Sequence, residues 1–281
     1  MRLALTVIAA VVLATVAAML VAVLRWRAGT REALGRLGAG LAPGGPATYS
    51  DGELAGLPSP VQRYFRLVLR DGQRIVRRAV LKQEGEFLLD AARNRWAPFT
   101  ATETFVPVPA GFVWDARIAM APGLAVFVRD GFVAGHGSMR GAVLGLLTMV
   151  HDEGTPQVAS GALYRYLAET PWLPTALLPS QGVTWSSLDD RSARATLTAG
   201  GITVAADFHF GDDGLVEQVT VAERERVANG KVRRLPWRGR YWAWAERDGM
   251  RVPTRGEVEW VLPEGPQPYW RGTITASAFE Y

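Results

Sequence analysis

Side chains able to do acid–base or metal chemistry are few in this chain of 281 residues, which has three histidines and no cysteine. His151-Asp152-Glu153 offers three kinds of metal ligand in a row. Neighbouring side chains of an extended segment point to opposite faces, so they do not converge on one ion, and a solvated loop is expected. Asp207 and His209 stand at i and i+2 on one face of a strand-like run, a spacing open to an acid–base pair or to two zinc ligands. No third ligand accompanies them, so the expectation is the polar face of a half-buried strand, with no metal and no catalytic residue assigned. Gly135-His136-Gly137-Ser138 resembles a nucleophile loop, but the hydrolase elbow needs glycine two residues either side of the serine, where His136 and Arg140 stand. Gly135, Gly137 and Gly141 lack the spacing of a dinucleotide loop. Bulges or close backbone approach account for them more simply. The acid pairs Asp189-Asp190, Asp212-Asp213 and Glu257 with Glu259 read as solvated carboxylates. No cofactor is implied.

Two concentrations of larger side chains remain. Arg233, Arg234, Arg238 and Arg240 lie within one short stretch. Guanidinium matches phosphate in a bidentate fashion, so Arg238 and Arg240 are candidate contacts to an anionic headgroup, against the plainer reading of a charged edge strand. Trp242 and Trp244 are expected to share one face of a strand, with Trp260 and Trp270 on the two strands that follow. On an open, curved sheet these indoles would line a concave wall suited to an acyl chain, the plainer alternative being that they fill the core beneath the helices. The net charge of +4 comes almost wholly from arginines interleaved with acids, Lys82 and Lys231 being the lysines. No basic stripe of the nucleic-acid-binding kind results.

These residues must be carried by strands. From Arg74 onward apolar residues recur with period two, as in Ile202 to Phe210, and turn compositions such as Gly211-Asp212-Asp213-Gly214 and Asn229-Gly230 punctuate the runs. Strands are expected over 75–82, 84–90, 101–108, 111–119, 124–134, 183–188, 193–198, 202–210, 215–226, 239–247, 256–262 and 269–279. Two helices join them. One starts at Ser59 as cap with Pro60 in the first turn, and the other covers Gln157 to Thr170 before Pro171-Trp172-Leu173-Pro174 breaks it. A sheet of that many strands must twist, curl or close. The expected fold is mainly β (α+β): a large curved antiparallel meander, a half-barrel, covered by a few helices.

Ahead of this domain, Leu3 to Leu24 form an uncharged apolar run of 22 residues. At about 1.5 Å per residue it matches a hydrocarbon core of about 30 Å, longer than the apolar region of a signal peptide. Arg25-Trp26-Arg27 then reads as an interfacial flank. Residues 1–24 are thus expected to be a single-pass transmembrane anchor, 25–57 a juxtamembrane helix and linker, and 58–281 a β-rich globular domain. The basic C-terminal flank favours a cytoplasmic domain and the short basic N-terminus an exported one, so the side stays open.

Several segments resemble a bacterial family catalogued only as a domain of unknown function: 100–105, 111–117, 236–241 and above all Tyr164 to Ser180, with its Trp-Leu-Pro…Leu-Leu-Pro-Ser pattern. The resemblance implies a domain from about Pro60 and a bacterial source, and brings no activity with it. A looser likeness in architecture is to the periplasmic lipoprotein carriers, whose curved antiparallel sheet has helices over its concave side. Together the residues suggest a membrane-anchored module holding a lipid or other hydrophobic ligand between Trp242, Trp244, Trp260 and Trp270. The partners on this reading are the bilayer and that ligand, with no nucleic acid and no protein partner identified. The alternatives are a hydrolase-type enzyme using Asp207 and His209, and a scaffold for a membrane protein.

Overall fold

The computed structural model describes residues 2–40, 46–228 and 231–281. The Asn229-Gly230 turn signal and part of the glycine-rich segment after residue 40 lie outside them. Three helices, α1 (Arg2–Ala39), α2 (Ser59–Val68) and α3 (Pro156–Glu169), accompany one antiparallel sheet of 13 strands. The first wing runs outward from the middle of the sheet: β1 (Arg78–Asp90), β2 (Arg95–Val106), β3 (Gly111–Ala121), β4 (Leu124–Val133), β5 (His136–Val143) and β6 (Leu147–Glu153). Next, α3 and the 3-10 turns Thr170–Trp172, Pro174–Leu177 and Pro179–Gln181 carry the chain across to the opposite edge. The second wing then returns inward: β7 (Val183–Asp189), β8 (Ser192–Ala199), β9 (Ile202–Phe210), β10 (Val216–Ala228), β11 (Lys231–Arg247), β12 (Met250–Leu262) and β13 (Gly265–Glu280), which pairs with β1.

The sheet curls until its wings nearly meet. A Cβ on Gly200, in the β8–β9 turn, would collide with Gly135 in the β4–β5 turn, and α3 packs on β5 of one wing and β9 of the other. It is therefore a curved, unclosed half-barrel with α3 lying across its mouth, the mainly β architecture expected from the period-two pattern. Inside it one apolar cluster joins both wings to α2, α3 and the turn segment through Tyr64, Phe65, Leu163, Leu167, Leu173 and Leu177.

The sequence pattern missed two strands. In β5, glycines interrupt the alternation, and α3 rests so closely on Gly137 that a Cβ there would collide with the backbone of Ala159. In β6, an edge strand, every residue is exposed, so no apolar face marks it, and His151-Asp152-Glu153 belongs to this strand and not to a loop. Residues 75–82 and 84–90 merge into the single strand β1. Ser59 does not cap α2; its hydroxyl accepts from Arg63. Residues 46–57 are built into the body, since Tyr49 and Leu54 are buried in the main cluster.

The first helix is long and apolar enough to cross a membrane, yet only its first half is bare. From Ala22 onward it lies along the convex face of β2, β3 and β4, burying Ala22, Trp26, Ala33 and Leu37 on one stripe. Trp26 is consequently not an interfacial residue. Its ring packs edge-on against Phe127 at 5.8 Å, and its Nε1 donates to Asp115 at 2.9 Å.

Candidate functional site

Alternation along β11 sets which groups reach the concave face. Trp237 and Tyr241 point inward into the main cluster, so Arg238 and Arg240 point to the convex side. There Arg238 binds Glu259, while Arg240 binds Glu257 and, at 3.3 Å, Glu259. The two arginines are thus engaged with acids of β12 and do not stand at the mouth of the half-barrel. Trp242 also faces outward, 41% exposed. Trp244 does not share its face, because Ala243 adopts φ 58° and shifts the alternation, turning Trp244 inward against Tyr64 at 6.4 Å. Trp260 and Trp270 are on the inner side, Trp260 stacked on Tyr269 and Trp270 buried. Of the four indoles, three thus face the inner side and Trp242 faces away from it.

The centre of that side rests on glycine. Gly85, Gly272 and Gly256 sit opposite one another on β1, β13 and β12 and form a row across three strands. A Cβ on Gly272 would lie 2.6 Å from the Trp270 ring, so the indole can lie flat on the backbone only because this position is bare. Trp172, delivered by the cover, packs against Trp270 at 6.0 Å and against Tyr241 at 6.3 Å, and Phe99 meets Trp270 at 5.8 Å from the other wing. This cluster of rings packed on glycine escaped the sequence reading. Its signal was a glycine inside each of three strand-like runs, the mark of a close backbone approach.

Within this apolar centre three polar atoms are buried without a partner among the described residues: Tyr64 Oη, Trp172 Nε1 and Trp270 Nε1. The other inner indoles differ. Trp114 Nε1 donates to Gln83, Trp185 Nε1 to Leu177 O and Trp237 Nε1 to Tyr269 Oη. Burial alone drives the Tyr64 hydroxyl well above the usual phenol range, so it stays a proton donor.

Beside this aromatic cluster lies an ionic one that sequence reasoning also missed. On α3, Arg165 donates through Nε to Glu169 at 2.9 Å, through one terminal nitrogen to Asp130 at 2.7 Å, and through the other to Glu103 at 2.8 Å. Its guanidinium also stacks over Phe112 and Trp114, at 5.0 and 4.9 Å. Gln83 donates to Glu103 at 2.6 Å. Three carboxyls thus share one cation. Burial, then the proximity of Glu169, raises the Glu103 carboxyl well above its ordinary value, and burial raises that of Glu169. Glu169 Oε2 is buried with no hydrogen-bond partner among the described residues. Burial opposes the charge on Arg165, but the three acids outweigh it and raise its pKa further. The signal in the sequence was Glu103 in phase with Phe99, Ala101 and Phe105, an acid on an apolar face.

The other candidates are spent separately. Asp207 is held by both Nε and a terminal nitrogen of Arg194, at 2.6 and 2.9 Å, while His209 Nε2 bonds Thr220 Oγ1 at 2.9 Å. His136 bonds the carbonyl of Ala134, and His151 approaches Glu153 at 3.3 Å in solvent. Among the described residues, no group of three or more histidine and acidic side chains is placed to hold a metal ion.

A family described as "Family of unknown function (DUF6920)" matches residues 55–279. No curated protein matches the sequence. Among solved structures, a LolA superfamily protein from Nitrosomonas europaea aligns at 12% identity over 79% of this chain and 93% of that one, with a TM-score of 0.37.

Proposed function

The chain belongs to the Family of unknown function (DUF6920), and we propose that it is a membrane-anchored module that binds a lipid or similar acyl ligand between the curved sheet and the cover formed by α2, α3 and the turn segment. Residues 1–24 hold it in the bilayer, the rest of α1 lies along the sheet, and 58–281 form the binding domain with 46–57 packed into it.

One observation carries this reading: Trp172 Nε1 and Trp270 Nε1 are buried donors without acceptors, 6.0 Å apart by ring centroid on a floor of glycine. In a core that served folding alone, each unpaired polar atom costs about 1–3 kcal/mol. Aromatic walls around unpaired donors suit a ligand with a long apolar body and an oxygen acceptor, such as an acyl ester. Trp244, Trp260 and Trp270 supply the wall, and Trp172 closes it from above.

The test is native mass spectrometry of the full chain in detergent before and after organic extraction, with titration of a fluorescent acyl ester. Stoichiometric extractable mass and saturable uptake are expected. Trp172→Phe and Trp270→Phe keep the rings and remove the donors. Each variant should leave the ligand-free protein as stable as before or more so, and weaken retention about fivefold, the worth of one hydrogen bond. A protein with no extractable mass and no uptake of the ester sinks the proposal.

A further inference from the structure

We infer that two neighbouring hairpin turns, β3–β4 and β5–β6, rest in the lipid interface beside α1, giving the domain a second membrane contact. The inference rests on the reading of α1 as a bilayer anchor. From Leu3 to Ala22 the helix rises about 30 Å, the thickness of a hydrocarbon core. Ala22 therefore lies near the edge of that core, and it is there that the sheet meets the helix. A Cβ on Gly145, in the β5–β6 turn, would lie 3.3 Å from the Ala22 carbonyl oxygen. The turn therefore sits at the height where hydrocarbon gives way to headgroups.

Ile118 to Val128 contains no charged residue, and neither does Gly141 to Val150. The two turns are tied together by the Leu144 amide, which donates to the Ala125 carbonyl at 2.9 Å. Their tips leave Leu124, Leu146, Leu147 and Met149 exposed, Leu147 at 67%. In water such a patch has no partner, whereas at a bilayer surface its side chains are buried.

Apolar at Leu147-Thr148-Met149-Val150, β6 becomes charged at His151-Asp152-Glu153. Going up the strand away from the turn, polarity rises as it does along α1 from Leu24 into Arg25. Arg25 and Arg140 line the cleft between α1 and the turn, at the level of headgroup phosphates.

Because the chain has no cysteine, single cysteines give unique labels. Leu13→Cys, Leu147→Cys, Met149→Cys and Asp152→Cys, each carrying an environment-sensitive fluorophore, would be reconstituted as full chains in vesicles of phosphatidylcholine and phosphatidylglycerol. Nitroxide-bearing lipid should quench the labels at 147 and 149 about threefold more than the label at 152, and aqueous iodide should show the reverse order, as expected for side chains set about 5–10 Å into the interface. If the label at 13 is lipid-exposed while those at 147 and 149 are as accessible to iodide as the one at 152, the second contact is wrong and the anchor stands. If the label at 13 is itself aqueous, the anchor reading fails and this inference falls with it.

Discussion

Two arginine–carboxylate networks occupy opposite faces of the sheet. On the convex face, Arg238 and Arg240 meet Glu257 and Glu259, two cations for two acids. On the concave side, Arg165 alone meets Glu103, Asp130 and Glu169. The convex ladder sits in a sequence dense with arginine, and it is balanced and partly wet. The concave cluster carries an acid excess in a buried place, and balances it by keeping a proton. Stoichiometry and burial, not the density of charge along the chain, separate a reinforced convex face between two inner strands from a strained interior.

The contrast breaks most sharply at Arg165. Arg165→Met keeps an unbranched stem, but leaves three acids without a cation and loosens α3 from β2 and β4 of the first wing. Removing one partner of a buried pair costs about 3–5 kcal/mol, and that loss should appear in urea denaturation of the full chain in detergent. A loss under about 1 kcal/mol, the range of exposed pairs, would erase the distinction between the networks.

Glu103 sharpens it next. Its folded pKa stands above the unfolded value, because burial and then Glu169 penalise its charge. The folded state therefore keeps a proton that the unfolded chain releases above about pH 4.3. This contribution to stability is whole below that pH and is lost as pH rises toward the folded pKa. Glu103→Gln carries its hydrogen atoms at every pH. It should match the parent near pH 4 and melt progressively higher than the parent between pH 5 and 8, by about 2–4 °C for each kcal/mol removed. A melting difference that does not change with pH would mean that Glu103 holds no extra proton.

The same contrast explains what could be read from the chain. Period two along Ile202 to Phe210 is visible because one face is buried and the other wet, and the structure has β9 there. Strand β6 has no such face, being an exposed edge. In the candidate site, Trp260 and Trp270 are large side chains whose inward direction follows from alternation, while Trp242 was misplaced because one positive φ at Ala243 shifts the phase by a residue. Gly85, Gly256 and Gly272 act together only through cross-strand register, which no local window contains. Glu103 and Arg165 are 62 residues apart and meet because the chain crosses from one sheet edge to the other. Their local sign, an acid in phase with phenylalanines, was present, but its partner was not.

The smallest effect belongs to the convex ladder, and its form matters more than its size. Glu259 is fully buried, yet Arg238 and Arg240 both reach it. Arg238→Ala leaves Arg240 in place, so the loss should be about 1 kcal/mol or less. Arg240→Ala should behave alike, since Arg238 still holds Glu259. Removing both strands a buried carboxylate, and the pair should cost about 1 kcal/mol or more beyond the sum of the single losses. A double-mutant cycle reads this directly. Redundancy of that kind has no counterpart at Arg165, where among the described residues no second cation is paired with the three acids. Simple additivity would instead mean that Glu259 draws on each arginine independently, and the ladder would then be a row of ordinary surface pairs.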